Sequence, residues 1–288
     1  MISIRRDAQT AVVELEAGAL DLVGWGLPVS DAVRLRNDPT YQVLINDKTG
    51  SSLDLLANCT RAPTDNKLVR QALSYALDRR RMANSVWHGL AEPGALPWSS
   101  TSPAHDAAKN AAFGFDLDRA KALLAQSGAP SIHLDLSWPA TTPDYATMAQ
   151  IYQADLAKIG VDVALKPLEP AVSLATRNDR SWQGLLFSGN NLGHFRPASQ
   201  ITGGTYGPST NFSGFRDDAY NELANHLAIE TDPAKQRLLY SQLNDYYLDQ
   251  SWVLIVMQNP EHIAARAGMR GLRYDAHLAL VLPEVWLT

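Results

Sequence analysis

Residues 58–79 read NCTRAPTDNKLVRQALSYALDR, a polar turn followed by an amphipathic helix. The part up to Asn66 is rich in turn-forming residues and is a candidate boundary between structural units. From Asp65 onward, apolar residues recur at helical spacing, so the sequence predicts one helix that Gly89 ends. The face of this helix that would be buried carries Leu68, Val69, Ala72, Leu73, Ala76 and Leu77.

Downstream of this helix, the chain alternates between strand and helix patterns. Residues 132–138 alternate apolar and polar side chains, which is typical of a half-buried strand. Residues 143–159 form a helical pattern, and residues 161–165 form a second strand. Such a unit predicts two parallel strands joined by a helical crossover.

The remaining segments complete a mixed α/β pattern. Residues 41–45 and 52–57 are two strand patterns on either side of Lys48-Thr-Gly50, which predicts a hairpin. Further helices are predicted at 117–126, 216–229 and 232–248, and closing strands at 252–257, 262–265 and 280–286.

Composition narrows the class of protein. The chain has 288 residues, which fits one large domain or two modest ones. Its net charge of −5 argues against a nucleic-acid-binding protein, whose surface would be basic. No apolar run reaches the length of a membrane span. The single cysteine, Cys59, cannot form an internal disulfide or build a thiolate metal site.

No pattern of catalytic or metal-binding residues stands out in the sequence. It contains neither H-E-x-x-H nor the G-x-S-x-G turn of a nucleophilic serine, so we expect no metal, no cofactor and no catalytic residues. The run Arg79-Arg80-Arg81 is expected to be a solvated helix face. Polar residues concentrate in loops instead, which favours a binding protein over an enzyme.

Six stretches, in the same order along the chain, resemble family 5 extracellular solute-binding proteins, the peptide, nickel and oligosaccharide receptors of ABC importers. Residues 58–79 resemble the family's Asn, turn and V-R-Q-A…A-I-D-R signature. Each of the other five matches is weak alone, but together they extend over most of the chain. They are Asp7–Asp21, Phe115–Gly128 (Y-D-P-x-K-A-K-x-L-L), Gln153–Val161 (Q-x-x-L-x-x-I-G-I), Asn211–Tyr220 (N-x-x-G-Y-x-N-x-x-Y) and Asp232–Tyr240 (D-x-x-x-R-x-x-L-Y).

The resemblance implies an α/β fold of the class II periplasmic-binding-protein type, with one complete lobe and a partial first lobe. It assigns residues 1–60 to the remnant of the first lobe, 61–255 to the second, ligand-binding lobe, and 256–288 to a C-terminal return to the first. The chain would then correspond to the C-terminal portion of a family member. Hinges are expected near residues 58–63 and 249–257.

The implied function is capture of a small solute in the periplasm and its delivery to an inner-membrane ABC permease, by a monomer. The chain itself begins without an apolar signal-peptide region. An alternative is the ligand-sensing domain of a cytoplasmic regulator that reuses the fold, and a third, disfavoured hypothesis is a hydrolase. An upstream signal peptide would identify a receptor, whereas a helix-turn-helix would identify a regulator.

In peptide-binding relatives, the loop after one strand carries an Asp that pairs with the ligand's amine, and here that position is Gly193. Residues 189–197 instead offer amides, an imidazole and an aromatic ring, which suit hydroxyl-rich or amide ligands. Peptides remain the family default, with sugars and opines as alternatives. The candidate ligand-binding residues are Phe187, Asn190, Asn191, His194 and Trp182. The alternative for Asn190 and Asn191 is that they shape a turn without contacting a ligand. The alternative for Trp182 and Phe187 is that they belong to the core.

Overall fold

The secondary structure is known from a computed structural model that describes residues 7–24, 26–46, 50–129, 131–190, 197–274 and 280–287. The helices are α1 (Ala8–Glu16), α2 (Val29–Arg36), α3 (Lys67–Tyr75), α4 (Arg79–Ser85), α5 (Ala107–Asn110), α6 (Leu117–Ser127), α7 (Pro143–Ala157), α8 (Pro170–Asp179), α9 (Pro197–Thr202), α10 (Asp218–Ile229) and α11 (Pro233–Gln250). The strands are β1 (Leu22–Val23), β2 (Tyr41–Asn46), β3 (Ser52–Ala57), β4 (Ile132–Pro139), β5 (Val161–Leu168), β6 (Gly184–Asn190), β7 (Val253–Gln258), β8 (Glu261–Arg266), β9 (Met269–Arg270) and β10 (Trp286–Leu287).

A five-stranded sheet in the order β5-β4-β6-β3-β7 forms the centre of the larger unit. Strand β4 runs parallel to β5, as the strand–helix–strand pattern predicted, and also to β6. Strand β3 runs antiparallel to β6 and β7. Every residue of β3 is buried, because both faces of the sheet are covered.

Helices α3, α4, α6 and α7 cover one face of this sheet. Val69 and Leu73 of α3 pack with Met148 and Tyr152 of α7 over Leu134 of β4. The hydroxyl of Tyr152 is satisfied in this core because it donates to the carbonyl oxygen of Leu73 at 2.6 Å. The apolar stripe predicted for residues 68–77 is therefore this buried face, apart from Leu68, which is half-buried.

Helices α9, α10 and α11 cover the opposite face with a second core rich in aromatic rings. Trp252 is fully buried and stacks on Phe215, with ring centroids 4.5 Å apart. Tyr220 of α10 and Tyr247 of α11 meet the same indole edge-on at 5.0 and 4.8 Å. These contacts fix both helices against the start of β7.

A smaller antiparallel sheet, in the order β1-β8-β2, has its own core beneath α1 and α2. Leu15, Leu35 and Ala264 are buried there. The predicted hairpin of residues 41–45 and 52–57 is wrong, because β2 pairs with β8 of this sheet while β3 pairs within the larger one. Alternating patterns identify strands, but they do not specify which strand pairs with which.

The chain passes between the two sheets at two neighbouring places. It leaves β2 at Asn46 to enter β3 at Ser52, and it leaves β7 at Gln258 to enter β8 at Glu261. The backbone N–H of Asn259 donates to the carbonyl oxygen of Ser51 at 2.8 Å, which joins the two crossings. The predicted closing strand at 280–286 is reduced to β10, whose two residues pair with β9.

Residues 58–79, which we call the signature segment, fasten the larger unit together through buried hydrogen bonds. The side-chain amide of Asn58 donates to the carbonyl oxygen of Trp182 at 2.7 Å, while the hydroxyl of Thr64 donates to the carbonyl oxygen of Asn58 at 2.8 Å. Arg70 donates to the carbonyl oxygens of Thr64 at 3.0 Å and Gln250 at 2.8 Å. These bonds connect the turn, α3 and the end of α11.

Arg79, at the end of the signature segment, is a second buried cation, with 6% of its surface exposed. Its guanidinium donates to the carbonyl oxygens of Ile255 at 2.7 Å, Ser74 at 2.9 Å and Phe113 at 3.2 Å. Burial lowers its pKa to about 10, so it stays charged at neutral pH. The residue ties α4 to the middle of β7.

The expected solvated run at residues 79–81 is therefore correct only for Arg80, which is exposed. Arg81 forms an ion pair with the buried carboxylate of Asp155. The single long helix expected from Asp65 is also divided, because Asp78 accepts a hydrogen bond from the backbone N–H of Arg81 at 3.0 Å and caps a new helix, α4.

Candidate functional site

The candidate site lies at one end of the five-stranded sheet, where the chain crosses to the small sheet. We call this end the junction edge. Ser52 of β3 lies there between Asn190 of β6 and Gln258 of β7. The parallel strands β4 and β6 both reach this edge with their carboxyl ends. In α/β sheets, ligands bind outside the carboxyl ends of parallel strands.

Two of the predicted ligand-binding side chains are buried in the cores. Trp182 is 3% exposed, and its indole N–H donates to the carbonyl oxygen of Gly184 at 3.1 Å. Phe187 is 2% exposed and stacks on Tyr145 of α7, with ring centroids 5.1 Å apart. The structure places them in different core clusters, on opposite faces of the sheet.

The polar part of the predicted site lies at the junction edge or beyond what the structure describes. Asn190 is the last residue of β6, with its backbone opposite Ser52. Asn191, Gly193 and His194 lie outside the described residues, so their role stays a prediction.

A buried acid that the sequence analysis did not single out lies two residues into β3. Asp54 is fully buried, and its Oδ2 atom accepts a long hydrogen bond from the hydroxyl of Tyr206 at 3.5 Å. Its Oδ1 atom has no hydrogen-bond partner among the described residues. Desolvation raises the pKa of this carboxyl to about 7, partly offset by the neighbouring hydroxyl groups of Ser52 and Tyr206.

A second group of polar side chains joins the two sheets. The ring of His262 on β8 meets the indole of Trp87 edge-on, with centroids 6.0 Å apart, and its Nε2 atom lies 2.6 Å from the carbonyl oxygen of Leu27. Among the described residues, neither the Nδ1 atom of His262 nor the indole N–H of Trp87 has a partner, although both atoms are buried.

Asp144 in the first turn of α7 belongs to the same region. Its half-buried carboxyl has a raised pKa because burial outweighs the attraction of His262 and His88. The sequence contains a signal for Asp144, because this residue closely follows the strand predicted to end at residue 138. The segment after a parallel strand reaches the edge of the sheet where ligands bind.

A cavity of about 320 Å³ lies between residues that follow Trp87 and residues that precede His262 in the chain. Its walls are the segment Gly89–Glu92, which follows α4, together with Gln258 and Pro260 from the second crossing between the sheets. His88, directly before this wall, has a φ of 50°, a left-handed conformation that is uncommon for a residue with a side chain.

The chemistry available in the described residues is recognition by hydrogen bonding. In that part of the chain, no group of three or more His, Cys, Asp or Glu residues is arranged to hold a metal ion. Burial raises the pKa of the Cys59 thiol to about 11, so this cysteine is not activated as a nucleophile. At the junction edge, several buried donors and acceptors have no hydrogen-bond partner among the described residues.

The mixed α/β fold, in which a larger and a smaller sheet are joined, is of the periplasmic-binding-protein type. Comparison with known sequences identifies the family: residues 2–212 match the profile of the bacterial extracellular solute-binding proteins, family 5, middle region. The chain belongs to this family, as its sequence motifs predicted, and the family's members are periplasmic or extracellular binding proteins.

Curated relatives show the range of solutes within the family. The chain is 29% identical over 259 residues to heme-binding protein A of Haemophilus influenzae, covering 84% of this chain and 45% of that protein. It is 23% identical over 292 residues to the dipeptide-binding protein of Escherichia coli, covering 96% of this chain and 52% of that protein. The chain thus spans about half the length of these relatives.

Solved structures share the fold. The binding protein AgaA of A. tumefaciens R10, solved with agropinic acid, superposes with a TM-score of 0.79 at 25% identity, covering 92% of this chain and 55% of AgaA. DppA of Helicobacter pylori, solved with the peptide STSA, gives 0.83 at 19% identity, covering 98% of this chain and 55% of DppA. Among the described residues, no helix combines the length and apolar character needed to cross a bilayer.

Proposed function

We propose that this chain is part of the substrate-binding component of an ABC importer, which captures a small polar solute in the periplasm and delivers it to an inner-membrane permease. Membership of the family supports the binding role. The observation that carries the proposal is the junction edge itself, where polar atoms of Asp54, Gln258 and His262 are buried without partners in the described part of the chain. Buried polar atoms of this kind are costly unless a ligand or water satisfies them.

Capture would occur by closure of one sheet unit on the other. The two crossings at residues 46–52 and 258–261 lie side by side, and such paired connections can act as a hinge. We therefore place the proposed hinge there rather than at 58–63, since that segment is anchored in the larger unit by Asn58 and Arg70. The corresponding lobe boundaries would be near residues 51 and 259.

Peptides are the default solute class, and opines and sugars are the alternatives. The dipeptide-binding relative and the agropinic-acid complex of AgaA support the first two. Gly193 provides no carboxylate at the position where peptide-binding relatives carry an Asp. Recognition would then depend on neutral hydrogen-bonding groups such as Asn190 and Asn191.

A thermal-shift screen of dipeptides, sugars and opines on the 288-residue chain tests this function. A ligand at about 100 times its Kd should stabilise the folded chain by about 2.7 kcal/mol, which corresponds to a Tm increase of about 5–10 °C. A Tm unchanged by every class of solute would contradict the proposal. Light scattering should also give a monomer of 31.5 kDa.

The same screen tests the asparagine site. Replacing both Asn190 and Asn191 by Ala should weaken binding of the best solute at least tenfold, because each amide would lose hydrogen bonds to it. Asn84→Ala on the exposed face of α4 is the matched control and should leave the affinity unchanged. Equal affinity of the double variant and the parent chain would remove the two asparagines from the site.

A further inference from the structure

We propose that a groove between α3, α6 and the end of α11 binds a small aromatic carboxylate, at a site separate from the junction edge. The groove has a volume of about 220 Å³. The residues that line it include Tyr75, Phe113, Arg119, Leu123 and Leu248. The volume is below the usual range for drug-sized ligands, which suits a ligand with a single ring.

The groove lies near the end of the five-stranded sheet that is remote from the junction edge. Asp249 lines it, four residues before β7 begins at Val253. Gln258, at the junction edge, is the other end of β7, so a strand of roughly 17 Å separates the two places. A ligand in the groove would therefore not reach the junction edge.

The ring of a ligand would pack against aromatic and aliphatic side chains. The rings of Tyr75 and Phe113 meet edge-on, with centroids 4.8 Å apart. Leu123 of α6 and Leu248 of α11 complete this apolar part of the groove, and all four residues are half-buried. Part of each therefore stays accessible, and a further ring can form edge-to-face or offset contacts with the aromatic pair.

Arg119 of α6 supplies the charge that a carboxylate needs. Its guanidinium carbon lies 4.3 Å from the centroid of the Tyr75 ring, so a cation–π contact holds the planar group against the wall of the groove. Among the described residues, the exposed side chain of Arg119 has no hydrogen-bond or ion-pair partner. A guanidinium over a ring keeps the N–H donors at its edge available, and two of them match the two oxygens of a carboxylate.

Two acidic residues near Arg119 are already engaged elsewhere. Asp249, the acid among the residues that line the groove, has both carboxylate oxygens 3.1 Å from Nζ of Lys67. Asp116 caps α6, where its Oδ1 atom accepts a hydrogen bond from the backbone N–H of Arg119 at 2.8 Å. The guanidinium therefore leaves a positive charge at the groove, which is complementary to an anionic ligand.

The first experiment uses benzoate, with benzamide as the uncharged analogue of similar shape and acetate as the anion without a ring. Benzoate should bind with a Kd of about a millimolar, since one ion pair and one ring meet an open groove. In NMR spectra of the chain with ¹³C-labelled leucine methyl groups, benzoate should shift the signals of Leu123 and Leu248, which the Leu123→Met and Leu248→Met spectra identify. Benzamide should bind about tenfold more weakly, and acetate should leave both signals in place. Unmoved signals with benzoate, or equal affinity for benzoate and benzamide, would overturn the site.

The second experiment compares variants in benzoate titrations. Arg119→Gln removes the charge at an exposed position, so it should weaken benzoate binding about tenfold while the chain stays folded. Arg119→Lys keeps the charge without the planar pair of donors and should give an intermediate affinity. Lys121→Gln, which removes an exposed positive charge from the same helix, is the matched control and should have no effect. Unchanged affinity of Arg119→Gln, or an equal loss with Lys121→Gln, would contradict a specific role of Arg119.

A third comparison separates this site from the proposed function. Replacing both Asn190 and Asn191 by Ala should leave the benzoate affinity unchanged, and Arg119→Gln should leave the affinity for the best solute of the thermal-shift screen unchanged. Loss of benzoate binding in the asparagine variant would refute the groove as its site. If benzoate shifts the signals of Leu123 and Leu248 but no peptide, sugar or opine binds, the groove stands and the proposed function fails.

Discussion

The signature segment and the junction edge differ in whether their buried polar groups have hydrogen-bond partners. In the signature segment, Asn58, Thr64, Arg70 and Arg79 all donate to backbone carbonyl oxygens within the larger unit. At the junction edge, atoms of Asp54, Trp87, Gln258 and His262 are buried without partners among the described residues.

This contrast separates the part of the sequence that specifies the fold from the part that would recognise a solute. Saturated hydrogen bonds stabilise one arrangement of the backbone. Buried polar atoms without partners destabilise the free chain, and a ligand that supplies those partners removes this cost. Polar-to-apolar substitutions should therefore be costly in the signature segment and nearly neutral at the junction edge.

The largest effect is expected for Arg79→Met. Loss of the buried guanidinium would leave the carbonyl oxygens of Ile255, Ser74 and Phe113 without their donor, at a cost of about 3–5 kcal/mol in the free energy of unfolding. Urea unfolding measures this loss. Arg80→Met, one residue away and exposed, is the control and should change stability by less than about 0.5 kcal/mol.

Asp54→Asn is expected to raise the free energy of unfolding, the opposite of Arg79→Met, by an amount that depends on pH. The pKa of Asp54 is raised from 3.8 to about 7 in the folded chain, so ionisation opposes folding. The penalty is absent below pH 4, grows between pH 4 and 7 and is complete above pH 7, where it amounts to up to about 4 kcal/mol. The Asn variant should therefore be more stable than the parent at pH 8 and equal to it at pH 4.

Asp38 offers the control for this pH dependence. Hydrogen bonds from the hydroxyl and backbone N–H of Thr40 lower its pKa, and the residue is exposed. Asp38→Asn should then lose a small amount of stability at pH 8, the reverse of Asp54→Asn. A stability difference between Asp54→Asn and the parent that does not vary with pH would contradict the buried-acid account.

An intermediate effect is expected for Phe187→Leu, which tests whether this predicted ligand contact belongs to the core. Losing the stacked contact with Tyr145 should lower the free energy of unfolding by about 1–2 kcal/mol. Solute affinity should change little. Phe115→Leu, at a 43% exposed side chain, should leave stability unchanged. A loss of affinity without a loss of stability would return Phe187 to the binding site.

The smallest effect is expected for Gln258→Met. The substitution removes the hydrogen bond to Leu96 but also removes an unsatisfied buried acceptor, so the free energy of unfolding should change by less than about 1 kcal/mol. Thermal unfolding measures it. A loss as large as that of Arg79→Met would erase the contrast between the signature segment and the junction edge.

The family and the fold could be predicted from the sequence, because local patterns carry them. The spacing of apolar residues located α3 and α7, and the strand–helix–strand unit gave the parallel pairing of β4 and β5. Pairing between distant segments could not be predicted in the same way. The partner of β2 is β8, more than 200 residues away, and no local pattern distinguishes it from β3.

The candidate site was less predictable than the fold. Trp182 and Phe187 are buried, since an aromatic residue near or in a strand can face a core on either side of the sheet. Asp54, Trp87 and Gln258 were missed because they are spread along the chain and meet only at the junction edge. Their signal is burial without partners, which only the three-dimensional arrangement reveals.

Hydrogen–deuterium exchange of the 288-residue chain, with and without the best solute from the thermal screen, tests the central claim most directly. Slower exchange on binding should be confined to the junction edge, in peptides that contain residues 87–92, 186–190 and 258–262. Exchange in the signature segment should not change. Protection confined to residues 58–79, or no protection anywhere, would contradict the assignment of solute binding to the junction edge.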